Sequence, residues 1–267
     1  MVSRNGQAET VFRSVPDMPE LPRRVFSRAE SLKEPAITRW HDHPWIQLSY
    51  AIRGVMEVRT MGGRYLAPPH RAILIPAGLQ HCVSSEAETE IRSLYIRSEE
   101  FPALAGTCQV LEIQPLAHEL IRSFSTYAVD YDENGEEGRL VSVLIDQLLA
   151  APNTNLHLPW PADDRLQTIC RELNEHPDLP MALSDVAARM GVSEKTVTRL
   201  FKKETSLSFR SWRQRLRLLS SLPMLEKRER VTDIALACGY DSTSAFIYAF
   251  RSHFGVTPGT FLPAEER

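Results

Sequence analysis

The stretch that decides the fold of the C-terminal third is Ser184-Asp185-Val186-Ala187-Ala188-Arg189-Met190-Gly191-Val192-Ser193. It returns 48 residues later as Thr232-Asp233-Ile234-Ala235-Leu236-Ala237-Cys238-Gly239-Tyr240-Asp241. Each copy starts with a hydroxyl residue and an aspartate, which predicts a helix with Ser or Thr as its N-cap. Each copy then reaches a glycine, a residue that can adopt the left-handed conformation between two helices. The repeat therefore predicts two helix-turn-helix motifs, over residues 184–204 and 232–254.

The second helix of the first copy has two distinct faces. Val197, Leu200 and Phe201 are spaced i, i+3, i+4 and form the apolar face. Arginine and lysine can bind guanine in the major groove, and hydroxyl groups can hold phosphates. The polar face thus holds the candidate DNA-contacting residues Lys195, Thr196, Thr198, Arg199 and Lys202. A solvated helix face is the usual alternative for such charges, but the duplicated glycine turn favours DNA binding.

The corresponding helix of the second copy has the apolar residues Phe246, Phe250 and Phe254 on one side. Its exposed side is less cationic, so we expect it to position the protein on DNA more than to specify the sequence. The candidate DNA-contacting residues on that side are Ser242, Thr243, Ser244, Tyr248 and Arg251.

Residues 209–219, between the two copies, are predicted to form one helix of fixed length. Such a spacer suits a monomer that reads two major grooves about 34 Å apart. The arginines on its outer side either contact phosphates or are solvated. Proline in a helix interior costs about 3 kcal/mol, so Pro223 predicts that the helix ends or kinks by Leu222.

The period of the apolar residues changes near the middle of the chain. Short alternating stretches between residues 39 and 96 predict the strands of a sandwich or small barrel. Amphipathic helices are predicted near 115–128 and 137–150, and the Pro- and Asn-containing segment 152–162 is the predicted linker. The predicted fold class is multidomain α and β. Its predicted parts are a β-rich domain over 1–114, a helical segment over 115–151 and an all-α domain over 163–262.

A group of histidines marks the β-rich domain. His41 and His43 are two residues apart, which on a strand puts both on one face, and His81 could come from a facing strand. This pattern resembles the two cupin motifs, in which His-x-His, a glutamate and a later histidine bind a metal inside a small β-barrel. Gln47 stands at the glutamate position, and a neutral amide is a poorer ligand than a carboxylate.

Three interpretations of these histidines remain open. The first is a site for a divalent metal, which three imidazoles and one oxygen would suit, with His41, His43, Gln47 and His81 as ligands. The second is an effector pocket lined by the same four residues and Trp45, with Trp40 and Tyr50 as further aromatic walls. The third is a purely structural role.

Residues 163–261 resemble the DNA-binding domain of the AraC/XylS family of bacterial transcription regulators. The residues that carry the resemblance are Leu183-Ser184-Asp185-Val186-Ala187, Gly191-Val192-Ser193, Arg199-Leu200-Phe201-Lys202-Lys203, Ile234-Ala235, Gly239-Tyr240, Phe246, Phe250-Arg251 and Phe254-Gly255-Val256-Thr257-Pro258. The resemblance implies that Lys195, Thr198, Arg199, Ser244 and Tyr248 contact bases. The chain departs from the family pattern in two places. Ser206 and Ser208 stand where the family often has a glycine, and Pro223 falls inside or just after the connecting helix.

The resemblance also implies a function. A cupin-like sensing domain would bind an unknown small-molecule effector and control the binding of double-stranded promoter DNA. Such regulators are typically homodimers, here through the helices of residues 115–151, and RNA polymerase is a possible partner. The predicted protein is therefore not an enzyme. The alternative is a metal-dependent cupin enzyme, of the dioxygenase or isomerase type, fused to a DNA-binding domain.

Charge and composition fit this division. The net charge is −3, which as an average argues against nucleic acid, but residues 1–156 carry −5, residues 157–267 carry +2, and residues 189–251 carry +7. The four cysteines form no Cys-x-x-Cys pair and are predicted to be reduced thiols. No segment has the length of apolar sequence that a membrane span requires. We expect a cytoplasmic protein with no membrane partner.

Overall fold

The computed structural model describes residues 10–16, 18 and 20–262. The chain divides into two compact units, one containing residues up to 60 together with 65–156, the other containing 61–64 and the chain from 157 onward. The division near 156 falls inside the predicted linker. The first part of that segment is held on the N-terminal unit, because Thr154 N donates to Val110 O at 2.8 Å.

The N-terminal unit is built on two sheets. Its strands are β1 (Val11–Arg13), β2 (Val25–Leu32), β3 (Ala36–Thr38), β4 (Ile46–Arg53), β5 (Met56–Thr60), β6 (Gly63–Ala67), β7 (Arg71–Ile75), β8 (His81–Ser85), β9 (Thr89–Ile96) and β10 (Gln109–Glu112). The first two residues of β6 are counted with the other unit. One sheet follows the order β1-β3-β8-β5-β6, and the other the order β10-β7-β4-β9-β2. A short 3-10 helix spans Pro102–Leu104.

Strand β4 is buried on both faces, which explains its apolar composition. Ile46, Leu48 and Tyr50 belong to the main core of the unit. The period of two in a strand places Gln47 and Ser49 on the opposite face, where their side chains are hydrogen-bonded to each other. The strand therefore separates an apolar core from a polar interior.

Two helices cover the apolar face of that sheet, α1 (Pro115–Phe124) and α2 (Glu136–Ala150). Their buried residues, among them Ile121, Phe124 and Leu144, pack into the same core as β4. The prediction of a β-rich domain with a helical appendage is confirmed. Part of the apolar surface stays uncovered, because Val143 and Leu149 are 43% and 46% exposed.

The C-terminal unit is helical apart from the short strand β11 (His157–Pro159) and residues 61–64. Its helices are α3 (Asp164–Glu175), α4 (Leu183–Met190), α5 (Glu194–Thr205), α6 (Phe209–Ser220), α7 (Leu222–Glu226), α8 (Val231–Ala237), α9 (Thr243–Phe254) and α10 (Pro258–Phe261). Helices α4 and α5 form the first predicted helix-turn-helix, and α8 and α9 form the second. Gly191 and Gly239 have φ of +66° and +74°, which confirms the predicted left-handed turns.

The predicted hydroxyl N-caps of α4 and α8 are wrong. The N-cap of α4 is Ala182, and the N-cap of α8 is Arg230, so each helix starts before the Ser or Thr. In α4 the reason is Asp185, whose carboxylate accepts the backbone N–H of Ala182 at 2.7 Å. That bond satisfies an otherwise free donor from inside the first turn, and a hydroxyl cap is not required.

The effect predicted for Pro223 is confirmed. Helix α6 ends at Ser220, and Pro223 lies in the first turn of the separate helix α7, where the proline nitrogen has no bond to lose.

Trp212 of α6 is fully buried, and its indole N–H donates to Pro159 O at 2.7 Å. The connecting helix is thus anchored in the core of the unit.

Candidate functional site

Helix α5 is positioned by its turn and its cap. Gly191 ends α4, and the Ser193 hydroxyl accepts the backbone N–H of Thr196 at 3.2 Å. Val197 and Phe201 are fully buried, so the orientation of the helix is fixed by the core of the unit. This arrangement turns the opposite side of the helix to solvent.

The exposed side of α5 carries unpaired positive charge. Lys195, Arg199 and Lys203 are exposed, and within the described part of the chain no hydrogen bond or ion pair involves their side chains. Lys202 Nζ donates to Ser206 O at 2.8 Å, and the Thr198 hydroxyl donates to Glu194 O at 2.9 Å. One open depression is lined by Lys195, Thr196, Thr198, Arg199, Lys202 and Lys203. The structure thus brings the five sequence-predicted residues of this helix together and adds Lys203.

Helix α5 ends at a residue in an unfavourable conformation. Ser206 is in the left-handed region, with φ +60°, at the position where the sequence lacks the expected glycine. A Cβ makes that conformation costly by about 1 kcal/mol or more.

We expect Ser206→Gly to raise the free energy of unfolding by about 0.5–1 kcal/mol, because glycine removes the Cβ penalty at some cost in unfolded-state entropy. Urea denaturation of the full chain measures this change. Ser208→Gly is the matched control, since Ser208 has an ordinary φ of −72° and its hydroxyl caps α6 by accepting the Ser211 N–H at 3.1 Å. The control should lower the free energy of unfolding. A decrease for both variants would contradict the role given to Ser206.

The second helix, α9, presents a different surface. The Ser242 hydroxyl caps the helix by accepting the Ala245 N–H at 3.2 Å, and Thr243 is half-buried. Ser244 and Arg251 are exposed, and Tyr248 is 76% exposed. This helix therefore carries one cationic group where α5 carries four, in agreement with the weaker charge that the sequence predicted for it.

Three of the four arginines of α6 bond to backbone carbonyls, contrary to both expectations, whereas Arg210 is exposed. Arg213 donates to the carbonyl groups of Leu179 and Met181, and Arg215 Nη1 donates to His157 O at 3.3 Å. Arg217 Nε donates to Pro177 O at 3.0 Å, and its guanidinium lies 5.8 Å from the ring centroid of Tyr240. Arg213 and Arg217 thus satisfy backbone carbonyls of the loop between α3 and α4, at Pro177, Leu179 and Met181.

A cluster of three imidazoles lies in the N-terminal unit. One ring nitrogen from each of His41, His43 and His81 lies within 4.8 Å of the other two. His41 and His81 pair through two backbone hydrogen bonds, of 3.0 and 2.9 Å. His81 begins β8 and is the antiparallel bridge partner of His41, so it comes from a neighbouring segment of the same sheet and not from a facing strand. His43 lies in a loop and not on a strand, because Pro44 and the bend at Trp45 separate it from β4.

The hydrogen bonds of the cluster define its protonation. Nδ1 of His41, His43 and His81 lies 2.7 to 2.8 Å from a backbone carbonyl oxygen, and such an oxygen can only accept a proton. Burial lowers the pKa of His43 and lowers the pKa of His81 to about 4, so both rings are neutral at pH 7. Their Nε2 atoms therefore carry lone pairs.

Gln47 completes the cluster. Its Oε1 lies 2.9 Å from His43 Nε2, and its amide nitrogen donates to Ser49 Oγ at 2.8 Å. Ser49 was not predicted, although its place two residues after Gln47 on β4 puts it on the same face.

The aromatic walls of the cluster differ from the sequence prediction. Trp45 stacks on His43 with 5.3 Å between ring centroids, and Tyr95 meets both rings edge-on. Tyr50 lies on the other face of β4, where its hydroxyl is 2.6 Å from His118 Nδ1, and Trp40 is 51% exposed. Trp45 alone of the three predicted aromatics therefore contacts the histidines. Tyr95 belongs to β9, and its position beside the cluster follows only from the pairing of β9 with β4.

The chain matches two family models. A helix-turn-helix domain model matches residues 186–264, and an AraC-like ligand binding domain model matches residues 30–151. In the described part of the chain, no helix has the length and apolar character needed to cross a membrane.

Individual proteins are similar over different parts of the chain. The HTH-type transcriptional regulator NimR of Escherichia coli is 34% identical over 222 residues, which are 83% of this chain and 81% of that protein. The transcriptional activator NphR of a Rhodococcus species is 32% identical over 57% of this chain and 42% of that protein. The structure of ToxT from Vibrio cholerae with a bound unsaturated fatty acid is 12% identical, covers 91% of this chain and 96% of that chain, and has a TM-score of 0.37.

Proposed function

The chain belongs to the AraC family of transcriptional regulators, with an N-terminal ligand-binding domain and a DNA-binding helix-turn-helix domain, and from this premise we propose how it works. Helix α5 reads bases of promoter DNA, α9 positions the protein on the phosphates, and a ligand in the histidine cluster controls both. The protein acts as a homodimer in the cytoplasm, where its DNA partner is found, and has no enzymatic activity.

The observation that carries this proposal is the exposed face of α5. Four cationic side chains project there from a helix whose other side is fixed in the core, and no carboxylate of the described chain pairs with them. An α-helix fits the major groove, where Arg199 can donate two hydrogen bonds to the O6 and N7 of guanine. Thr198 contributes a methyl group for thymine, since its hydroxyl is bonded to the helix backbone.

The test is selection of fragments of the host genome on the purified full chain, followed by affinity measurements on the enriched DNA. We expect a shared sequence motif and tight binding to it, whereas DNA of the same composition in scrambled order binds at least a thousandfold more weakly. Equal affinity for both DNAs would overturn the proposal.

The homodimer proposal rests on the uncovered face of α2. Arg139, Val143, Asp146 and Leu149 recur at helical spacing and are all exposed. If two copies of α2 pack antiparallel about a two-fold axis near Val143, Arg139 of each copy meets Asp146 of the other. An isologous contact of this kind is self-complementary in charge and apolar at its centre.

We expect Val143→Asp to convert the dimer into a monomer, because the axis would bring two carboxylates together in an apolar contact. Sedimentation equilibrium measures the mass. Val129→Asp is the matched control, since Val129 is 52% exposed but lies outside α2, and it should remain dimeric. A dimeric Val143→Asp variant would contradict this interface.

Two further parts of the proposal follow from family membership. The similar proteins are regulators, which supports the absence of an enzymatic activity. Contact with RNA polymerase would make the protein an activator, and transcription in vitro from a selected promoter with purified polymerase tests this.

A further inference from the structure

Resting on the proposed function, we infer that the effector bound by the histidine cluster is a divalent transition-metal ion. Its ligands are Nε2 of His41, His43 and His81 together with Oε1 of Gln47. The set of imidazole-nitrogen and amide-oxygen donors, which contains no thiolate, suits Zn²⁺, Co²⁺ or Ni²⁺ and does not suit Mg²⁺ or Ca²⁺, which require several oxygen ligands.

One buried nitrogen of the cluster is unsatisfied. His81 is fully buried, and its Nε2 has no hydrogen-bond partner. Because Nδ1 donates to Leu79 O at 2.7 Å, Nε2 is an acceptor without a donor. A buried acceptor left in this state destabilises the protein, and native structures usually satisfy one with an ordered water, an ion or another ligand. A cation at this position would accept the lone pair.

The other two imidazole rings are oriented by backbone hydrogen bonds. His41 donates through Nδ1 to Arg39 O at 2.8 Å, and His43 donates through Nδ1 to Trp45 O at 2.8 Å. Each backbone bond fixes the ring tautomer and orientation, which is what supporting groups do for imidazole ligands in metal sites. Ligand nitrogens on one tetrahedral ion are about 3.4 Å apart, so the three nitrogens need to close only a short distance.

The side chain of Gln47 is also held in place. Its amide nitrogen is held by Ser49, so that Oε1 faces His43 Nε2 at 2.9 Å. Two lone-pair atoms at this distance repel each other unless both bind one cation or the amide is turned so that its nitrogen donates to His43. The cluster also lacks a negative ligand, since Asp42 is exposed and its carboxylate accepts a hydrogen bond from Gln80 at 2.7 Å. Neutral ligands bind an ion less tightly than carboxylates and release it more readily, as a sensor requires.

The experiment is isothermal titration of the full chain, purified without a histidine tag and treated with chelator, using ZnCl2 and CoCl2. We expect one ion per chain, a higher thermal midpoint with Zn²⁺, and the visible absorption of four-coordinate Co²⁺. MgCl2 should produce none of these changes. Absence of saturable binding would overturn the inference.

Variants separate this site from adventitious binding. His41→Ala, at the half-buried edge of the cluster, should weaken binding at least tenfold, while His176→Ala, an exposed histidine of the C-terminal unit, should not change it. Gln47→Glu should tighten binding at least tenfold, because it adds a negative ligand. If Gln47 instead donates to His43 in a metal-free pocket, Gln47→Glu will not bind metal more tightly, and the inference fails.

The effect of the ion on DNA binding is measured separately. Affinity for the selected promoter DNA is compared with Zn²⁺ and with chelator, in the wild type and in His41→Ala. We expect Zn²⁺ to change the affinity at least fivefold in the wild type and not in the variant, and the DNA to change Zn²⁺ affinity by the same factor. Unchanged affinity in the wild type would show that the ion is not the effector. Specific DNA binding without any metal binding would refute this inference and leave the proposed function standing.

Discussion

Gly239→Ala is expected to destabilise the C-terminal unit by about 3 kcal/mol or more. Gly239 is in the left-handed region, and a Cβ built on it would lie 2.7 Å from Asp178 Cα and 2.8 Å from Arg217 Nη2. The first contact is with backbone, which cannot move aside as a flexible side chain does. Arg217 is itself held by Pro177 O, so relief of the second contact would break that hydrogen bond. Backbone strain and steric overlap therefore add together.

Gly191→Ala is the matched control for this effect. Gly191 has the same role in the first helix-turn-helix and a similar φ, but apart from its own neighbours along the chain no atom lies within 4 Å of a Cβ built on it. The Gly191→Ala substitution should lower the free energy of unfolding only by the cost of placing a Cβ in the left-handed region, about 1–2 kcal/mol. Chemical denaturation of both variants measures the difference. If both variants lose the same free energy of unfolding, the steric overlap of the new Cβ with Asp178 does not contribute, and the larger effect expected for Gly239→Ala is wrong.

Arg199→Ala is expected to weaken binding to the selected promoter site by about 1–3 kcal/mol and to relax the preference at one base position. Arg199 is exposed and makes no hydrogen bond or ion pair in the described chain, so its removal should leave the free energy of unfolding unchanged. Fluorescence anisotropy at fixed salt, on the site and on its single-base variants, measures both effects.

Lys202→Ala provides the contrast. Its ammonium group lies at the end of α5, bonded to Ser206 O, and we expect it to contact phosphate. The variant should weaken binding to all sequences alike and reduce the salt dependence of the affinity by about one counterion. Unchanged promoter affinity in Arg199→Ala, or a loss that is equal for every sequence, would remove the base-reading role of Arg199.

The sequence predicted the features that depend on local geometry. The turns at Gly191 and Gly239 follow from the conformational freedom of glycine, and the end of α6 follows from the proline at 223. The apolar spacing of Val197 and Phe201 identified the buried side of α5. Each of these rules involves only neighbours along the chain.

The features that the sequence did not reveal depend on distant partners. Arg213 and Arg217 have the spacing of a solvated face, and only the fold brings the carbonyls of residues 177–181 within their reach. Tyr95 joins the histidine cluster through the register of β9 with β4, which no local pattern encodes. Gln47 was identified because it stands at the glutamate position of the cupin motif that the sequence resembles, but its orientation depends on Ser49.

The separation of the two sides of α5 has an evolutionary consequence. Folding depends on Val197 and Phe201, whereas Lys195, Arg199 and Lys203 contribute nothing to the interior. Substitutions at the outer positions are therefore close to neutral for stability. After gene duplication, a descendant can acquire a new set of target promoters through a few such changes without passing through an unfolded intermediate, so binding specificity can diverge while the scaffold is retained.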